Sequence, residues 1–397
     1  MNGAMSALSP GGGVGAAPHG PNVMMVSADR SVVAGERGPF YYMLESFSKH
    51  WERVDVIGTR PGEVKLQEVF GNVHLHHPNT GKVRQASFIA RTGLRLASER
   101  PYTVITSHDY NPFYNGLGSW RISRRTGIPY VAELHHVPGF PRAANLRERA
   151  DRFLTRLYAR WASRRAAGFR VVNDREMPGL LQSWGIPSES IHVLSSLYLD
   201  GSVFRPQEPA SCDCDVLFVG RLVPNKGVLS ILSALVRLRD VDGVKLKLRL
   251  LGRGPEAARI EAFIKRHKLD SQVDRVDWVP DAEALADVYR SARVLVCASL
   301  SEGGPRVVPE ALACGTPVIS TRVGLVADLI QDGRNGLLFD GCVGDLARAL
   351  RTFFCESGTE SRLRAAAAAS EIDHFEREAV IQRLADGLKQ VAEGARS

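Results

Sequence analysis

Short runs of β-branched and apolar residues alternate with longer helical stretches along nearly the whole chain, and no other property of the sequence constrains the fold so tightly. In the first half the runs fall at residues 23–27, 54–57, 104–107, 130–134, 169–172 and 191–194. Helices are expected over 86–98 and 146–165, and another opens near Pro39, whose missing N–H is harmless in a first turn. Strands separated by helices pair in parallel, with the helices covering both faces of the sheet. A proline-bearing connector at 200–209 interrupts the pattern, and a second series follows with strands expected at 215–219, 246–251, 294–298, 317–320 and 336–339. A final amphipathic helix over 375–391 is expected to pack back on the first half. The fold class is therefore α/β, with two doubly wound parallel-sheet domains.

At 397 residues the chain exceeds what one hydrophobic core serves. The expected division is a flexible tail over 1–21, a first domain over 22–205, a second over 206–372, and a closing helix over 373–397. Residues 1–21 are rich in Gly, Ala and Pro and lack the basic start and apolar block of a secretory signal, and no apolar run is long enough to cross a bilayer. The six cysteines (Cys212, Cys214, Cys297, Cys314, Cys342 and Cys355) are scattered without a spacing that suits zinc, which points to buried free thiols in a reducing cytoplasm. A formal charge of +8 calls for an anionic partner, whether nucleic acid, a membrane surface or a phosphorylated substrate. Nucleic acid is not expected, because the chain lacks a zinc or helix-turn-helix signature and the aromatic and basic interleaving of single-strand platforms.

Two segments carry the chemistry. Residues 219–227 read V-G-R-L-V-P-N-K-G, a strand end, a tight loop and a helix start. This sets Arg221 and Lys226 beyond the carboxyl end of a strand, where ligands sit in open parallel sheets. Residues 299–315 read S-L-S-E-G-G-P-R-V-V-P-E-A-L-A-C-G, with seven residues between Glu302 and Glu310. Gly303 and Gly304 let backbone approach a ligand closely, and Pro305 leads into a helix start. Pro309 fits only if that helix begins no more than about one turn before it. Carboxylates accept from vicinal hydroxyls, while cations and helix N-termini hold a pyrophosphate, so the combination reads as a grip on a sugar nucleotide. Taken singly, the first segment also reads as a solvated basic turn and the second as an ordinary capped helix. Residues 129–136, P-Y-V-A-E-L-H-H, form a strand ending at His135, a position that in isolation reads as structural.

Residues 22–395 resemble the retaining glycosyltransferases of family 4 (glycosyl transferases group 1), whose marks are a G-R-L…K-G turn and an E-x7-E motif followed by E-A-x-A-C-G-T-P-V. Thr316-Pro317-Val318-Ile319 and Asp332-Gly333-Arg334-Asn335-Gly336 follow in the family's order. The resemblance implies the GT-B fold, two Rossmann-like domains facing a central cleft. It implies a UDP- or GDP-linked sugar as donor, a glycan or lipid-linked acceptor, and a role in polysaccharide, glycolipid or glycoconjugate synthesis. By the same resemblance Arg221 and Lys226 hold the donor diphosphate, Glu302 touches the hydroxyls of the transferred sugar, and Gly303 and Gly304 supply backbone N–H groups. Glu310 accepts from the ribose, His135 lies beside the donor sugar, Gly35 brings backbone amides to the diphosphate, and residues near Val279 border the base. No metal and no further cofactor is implied. The chain departs from the pattern at Ala34, Ser196-Leu197, Gly324-Leu325 and His136, where Gly, Asn-Gly, Gly-Gly and Asp are frequent.

Asp213-Cys214-Asp215 matches the metal-binding D-x-D of the other large glycosyltransferase fold, yet it precedes the first strand of the second half and is read as chance. Between residues 147 and 165 a helix carries Arg149, Arg152, Arg156, Arg160 and Arg164 on one face and Leu154, Leu157, Tyr158 and Trp161 on another. Such a helix either rests on an anionic membrane or turns its apolar stripe to the core. Two other functions fit the same features: a sugar-nucleotide epimerase or phosphorylase on this scaffold, and a non-catalytic basic adaptor at a membrane surface.

Overall fold

The computed structural model describes residues 21–79, 81–207, 213–370 and 372–396; the expected tail and Cys212 lie outside them. The first lobe holds strands β1 (Asn22–Val26), β2 (Arg53–Ile57), β3 (Glu68–Val69), β4 (Val73–His76), β5 (Val104–His108), β6 (Tyr130–Glu133), β7 (Gly168–Val171) and β8 (Ile191–Val193). They form one eight-stranded sheet in the order β3-β4-β2-β1-β5-β6-β7-β8. Its helices are α1 (Pro39–Ser48), α2 (Gln85–Glu99), α3 (Tyr114–Thr126), α4 (Leu146–Ala162) and α5 (Glu176–Ser183). The second lobe holds β9 (Cys214–Val219), β10 (Leu248–Leu251), β11 (Val273–Val276), β12 (Ala292–Cys297), β13 (Val318–Thr321) and β14 (Gly336–Phe339), in the order β11-β10-β9-β12-β13-β14. Helices α6 (Val228–Val241), α7 (Ala257–Arg266), α8 (Ala282–Arg290), α9 (Val307–Ala313), α10 (Val326–Leu329), α11 (Val343–Cys355) and α12 (Thr359–Ala368) cover it, and α13 (Arg377–Gly394) closes the chain. Every strand pair is parallel except β3 with β4, an antiparallel edge.

The sheets are buried on both faces, and alternation within each strand divides the core. In β1, Met24 and Val26 pack with Ile89 of α2 and Ile122 of α3. Val23 and Met25 pack on the opposite face with Leu44 and Phe47 of α1. The same face takes Ile381, Leu384 and Leu388 of α13, so the last helix does return to the first lobe. Each of these three aliphatic side chains contributes about 1.5–3 kcal/mol through burial. In the second lobe Val216 and Phe218 face α6 and α11, while Leu217 and Leu295 face α8 and α9. The chain passes between lobes twice, and the two passages run together: Leu199 N–H donates to the Phe375 carbonyl at 2.8 Å, and Leu199 bridges Glu376 in parallel.

Several expectations need correction. The edge strand β3, its neighbour β4 and the outer β11 were not foreseen; β4 reads V-H-L-H and β11 V-D-R-V, too short and polar to stand out from loops. Helix α4 stops at Ala162 rather than continuing to Arg165. Its buried side is Thr155, Tyr158, Ala159 and Ala162, so the expected apolar stripe is split: Tyr158 and Trp161 pack on the core while Leu154 and Leu157, with Phe153, are exposed at 42%, 48% and 60%. Cys214, Cys297 and Cys314 are buried free thiols, whereas Cys342 and Cys355 are exposed.

Candidate active site

β9 lies between β10 and β12, the position where connections leave to opposite faces and a crevice opens beyond the strand ends. The loop after β9 makes a tight turn over Pro224–Lys226 and reaches Gly227 at φ +69°. A Cβ at Gly227 would lie 2.2 Å from the Ala298 carbonyl, so only glycine lets this loop touch the one after β12. Leu300 N–H donates to the Asn225 carbonyl at 2.7 Å, and Asn225 Nδ2 donates to the Ser301 carbonyl at 3.2 Å. These bonds fix the two loops together and place the Lys226 ammonium in an ion pair with the Glu302 carboxylate. Arg221 stands exposed at the start of the same loop.

The first lobe contributes His135. Its register comes from β6, which ends at Glu133, so that Glu133 and His135 lie two residues apart and His135 Nε2 is 2.9 Å from the Glu133 carboxylate. Glu133 sits opposite Arg170 in the β6–β7 ladder, with 2.7 Å between their charged groups, and also accepts from Thr106 Oγ1. Burial alone would raise the Glu133 carboxyl, but Arg170 and the bonds from His135 and Thr106 hold it well below the usual carboxylate range. The Glu133 carboxylate and the Arg170 guanidinium, 3.3 Å from the same ring nitrogen, set the ring's orientation. The other side of that ring stacks on His108, with centroids 4.2 Å apart. Burial and the neighbouring His135 push the His108 imidazole down to about 3, so it is neutral across the physiological range. His136 is exposed by area yet walled by both lobes. Its pKa is lowered first by loss of solvent, with His135, Lys226 and Arg221 adding to this and Glu302 opposing.

The lobes meet at Gly303. A Cβ there would lie 1.8 Å from the His135 carbonyl, and the Gly303 carbonyl accepts from Asn173 Nδ2 at 2.9 Å and Leu325 N–H at 3.1 Å. Beside it, Glu176 accepts from Gly324 N–H at 3.0 Å and Arg175 pairs with Asp328 at 3.3 Å. A cavity of about 290 Å³ lies between the lobes, lined by His135, His136, Glu302, Gly303, Gly304 and Arg306. A second, of about 420 Å³, shares His135 and Arg306 and runs into the first lobe past His108 and Asp29.

The structure thus brings His135, Glu302, Gly303 and Gly304 to one cavity, with Lys226 bound to Glu302 at its edge. Glu310 lies deeper on α9, buried, with its oxygens engaged by Tyr289 Oη and Arg306 Nε at 2.8 Å each. Burial raises its carboxyl, against the pull of Arg306. Pro309 is the third residue of α9, within the first turn as required. Gly35 closes the turn after β1 against Lys65, and Val279 follows β11 at the outer side of its sheet; neither lines the cavity. Asp215 is paired with Arg293 at 2.9 Å. Sequence reading missed Arg306, although it stands next to Pro305 in the motif itself. It also missed Glu133, Arg170, His108 and Asn173, for which only strand pairing supplies the signal.

Comparison with known proteins agrees with this geometry. Residues 204–371 match the family model described as Glycosyl transferases group 1, and residues 41–196 match the Glycosyl transferase 4-like domain. A D-inositol 3-phosphate glycosyltransferase of Arthrobacter sp. (strain FB24) is 36% identical over 306 residues, 69% of this chain and 68% of that protein. One from Acidothermus cellulolyticus is 30% identical over 258 residues, and that match spans 60% of this chain and 56% of the relative's length. Among solved structures, sucrose-phosphate synthase from Thermosynechococcus elongatus superposes with a TM-score of 0.78 at 19% identity, covering 93% of this chain and 98% of that one. Anabaena HepE in complex with UDP and glucose gives 0.73 at 18% identity, covering 93% and 100%. The architecture is GT-B, two parallel-sheet domains with a cleft between them. By sequence, the chain belongs to the glycosyl transferases group 1 family.

Proposed function

We propose that this chain is a retaining glycosyltransferase that moves a hexose or related sugar from a UDP- or GDP-linked donor to an acceptor hydroxyl, without a metal ion. The observation that carries the reading is the meeting of Glu302, paired with Lys226 from a second loop of its lobe, with His135 of the other lobe at a shared cavity. As the bond between the sugar and the β-phosphate breaks, negative charge grows on the departing oxygen, and a fixed ammonium and guanidinium aimed there lower the barrier. In this reading Lys226 and Arg221 supply those charges, and it is supported by the ion pair with Glu302, which holds Lys226 in position. Glu302 accepts from sugar hydroxyls, and His135, locked by Glu133, meets the sugar from the opposite lobe. The acceptor attacks on the face the phosphate leaves, and the departing phosphate oxygen takes its proton, so no side-chain nucleophile is needed. Peripheral contact with anionic membrane through residues 147–165, at the cytoplasmic face, belongs to the same reading. It is supported by the outward apolar and arginine faces of α4, and among the described residues no helix is long and apolar enough to span a bilayer.

The test pairs ligand binding with turnover. UDP, GDP and their sugars are expected to raise the melting temperature, since a ligand of the folded state stabilises it. Lys226→Ala is expected to lower transfer by roughly 10²–10³-fold, the usual loss of one charge-stabilising donor, with far-UV circular dichroism unchanged. Near-native turnover by that variant, or isomerised donor as the sole product, would sink the assignment.

A further inference from the structure

A cavity of about 580 Å³ lies between the loop after β6, helix α4 and the end of α5. Gly139, at φ +73°, lets that loop press on the first turn of α4: a Cβ there would lie 2.9 Å from the Glu148 carbonyl. Arg142 comes to the cavity from the loop, and Arg149, Arg152 and Arg156 come to it from α4, where spacings of three and four residues set them on one face. The buried Trp184 and the exposed Phe153 join its lining. Two contacts hold the walls: the Arg152 guanidinium lies 4.9 Å from the centre of the Phe140 ring, and Arg160 Nε donates to the Trp184 carbonyl at 2.9 Å. Among the described residues no acid lines the cavity, and none of its four arginines is ion-paired. The nearby acids are committed elsewhere. Glu148 accepts from Ala144 N–H at 2.7 Å, Asp151 accepts from the Asn111 side chain, and Asp345, which feels the charge of Arg142, is paired with Arg348 at 2.9 Å.

Arginines along a helix face are ordinarily solvated one by one, but here a fourth from another element closes them into a concavity, where like charges repel across a shared space. A phosphate group relieves that repulsion, because guanidinium groups bind its oxygens in pairs. The rim indicates which phosphate. Phe153 lines the cavity and Leu154 and Leu157 stand next to it on the helix, all three exposed, an apolar edge that a free anion leaves wet and an acyl boundary covers. We propose that this cavity seats the phosphodiester headgroup of an anionic membrane lipid, with Phe153, Leu154 and Leu157 entering the acyl boundary beside it. The proposal rests on the membrane contact of the preceding reading and gives it a defined site in place of diffuse attraction. It also ties the bilayer to the cleft. The cavity's loop continues from His135 and His136, and Arg142 N–H donates to the Leu300 carbonyl of the second lobe at 3.2 Å, so a headgroup held by Arg142 sits beside the junction of the lobes.

The experiment uses the full chain and phosphatidylcholine vesicles with and without phosphatidylglycerol. Two double variants remove the same charge from the same region, Arg142→Gln/Arg149→Gln inside the cavity and Arg147→Gln/Arg164→Gln outside it. All four side chains are exposed, so folding is not at stake in either. The native chain is expected to cosediment with the anionic vesicles, and the cavity variant to bind them about tenfold more weakly than the outside variant, the scale of one charge-assisted hydrogen bond. Glycerophosphoglycerol, the headgroup without its acyl chains, is expected to displace the native chain from the vesicles where sodium chloride of equal ionic strength does not. Equal losses in the two variants, or displacement that follows ionic strength alone, overturn the site while leaving membrane contact standing. Glycerophosphoglycerol bound tightly by a chain that ignores the vesicles makes this a soluble-anion site and overturns the assignment to lipid. A native chain that binds neither overturns the site and the membrane contact together, while the rise in melting temperature with UDP or GDP, measured alongside, reports the glycosyltransferase reading separately.

Discussion

Gly303 carries two demands at once. Its carbonyl is gripped by Asn173 from the first lobe and Leu325 from the second, and the space where a side chain would begin is filled by the His135 carbonyl. Gly303→Ala is expected to hold the lobes apart by about the clash it creates. A displacement of roughly 1 Å at a reacting centre costs on the order of 10²-fold in rate. Single-turnover transfer should therefore drop by that amount while the melting temperature stays near that of the native chain; undiminished transfer would show that the contact has no role in closure. The motif made Gly303, Glu302 and Lys226 legible in the sequence, because their short spacing on strand-end loops already implies a common place. Glu133 and Arg170 were not legible. They stand 37 positions apart in the chain (170 − 133) and meet only because β6 and β7 pair in a particular register. The engagement of Glu310 by Tyr289 was hidden for the same reason, since Tyr289 arrives on α8 and its hydroxyl finds the carboxylate only once α8 packs on α9.

Among the elements, α4 departs most from its sequence pattern. Asn145 caps it, its side chain accepting from Glu148 N–H at 3.0 Å, and the helical period is clear, so its existence was readable. Its orientation was not, because the apolar stripe divides: Tyr158 and Trp161 turn inward with Thr155, Ala159 and Ala162, while Leu154 and Leu157 stay outside. Tyr158 decides the matter: its hydroxyl bonds to the buried Asp109 and lies 2.9 Å from that of Tyr130, a network the outward leucines could not satisfy. Leu146, Phe153, Leu154 and Leu157 are left facing water with arginines along the flank, the pattern on which the proposed membrane contact rests. Leu154→Asp/Leu157→Asp is expected to weaken cosedimentation with phosphatidylglycerol vesicles by at least tenfold, since each buried leucine is worth about 1.5–3 kcal/mol. Binding to those vesicles that matches the native chain's would remove membrane contact from the functional reading.

At the scale of the whole molecule, the seam between lobes holds a buried carboxyl. Glu176 accepts from Gly324 N–H across it, and burial, with Asp328 adding its charge, pushes the Glu176 carboxyl up to about 7. A carboxyl raised in the folded state binds more protons there than in the unfolded chain. Its contribution to stability is therefore full below the unfolded value of about 4.3 and is lost as pH rises through 7. Asp109, raised to about 8 by burial, has the same sign, so part of the decline persists without Glu176. Glu176→Gln keeps an acceptor for Gly324 and is expected to reduce the fall in melting temperature between pH 5 and pH 8; an unchanged profile would place the proton-linked step elsewhere. The two-sheet architecture was legible from strand and helix alternation alone, but this seam was not, because its partners come from α5 and the loop before α10 and have no signature in either segment.

The twin passages at Leu199 and Phe375, bonded to one another, set how such a molecule can move. Two covalent links lying together act as a single pivot, so the halves swing along one arc like the covers of a book and resist twisting. Each opening therefore separates His135 from Glu302, and each closing returns them to the same register without a search.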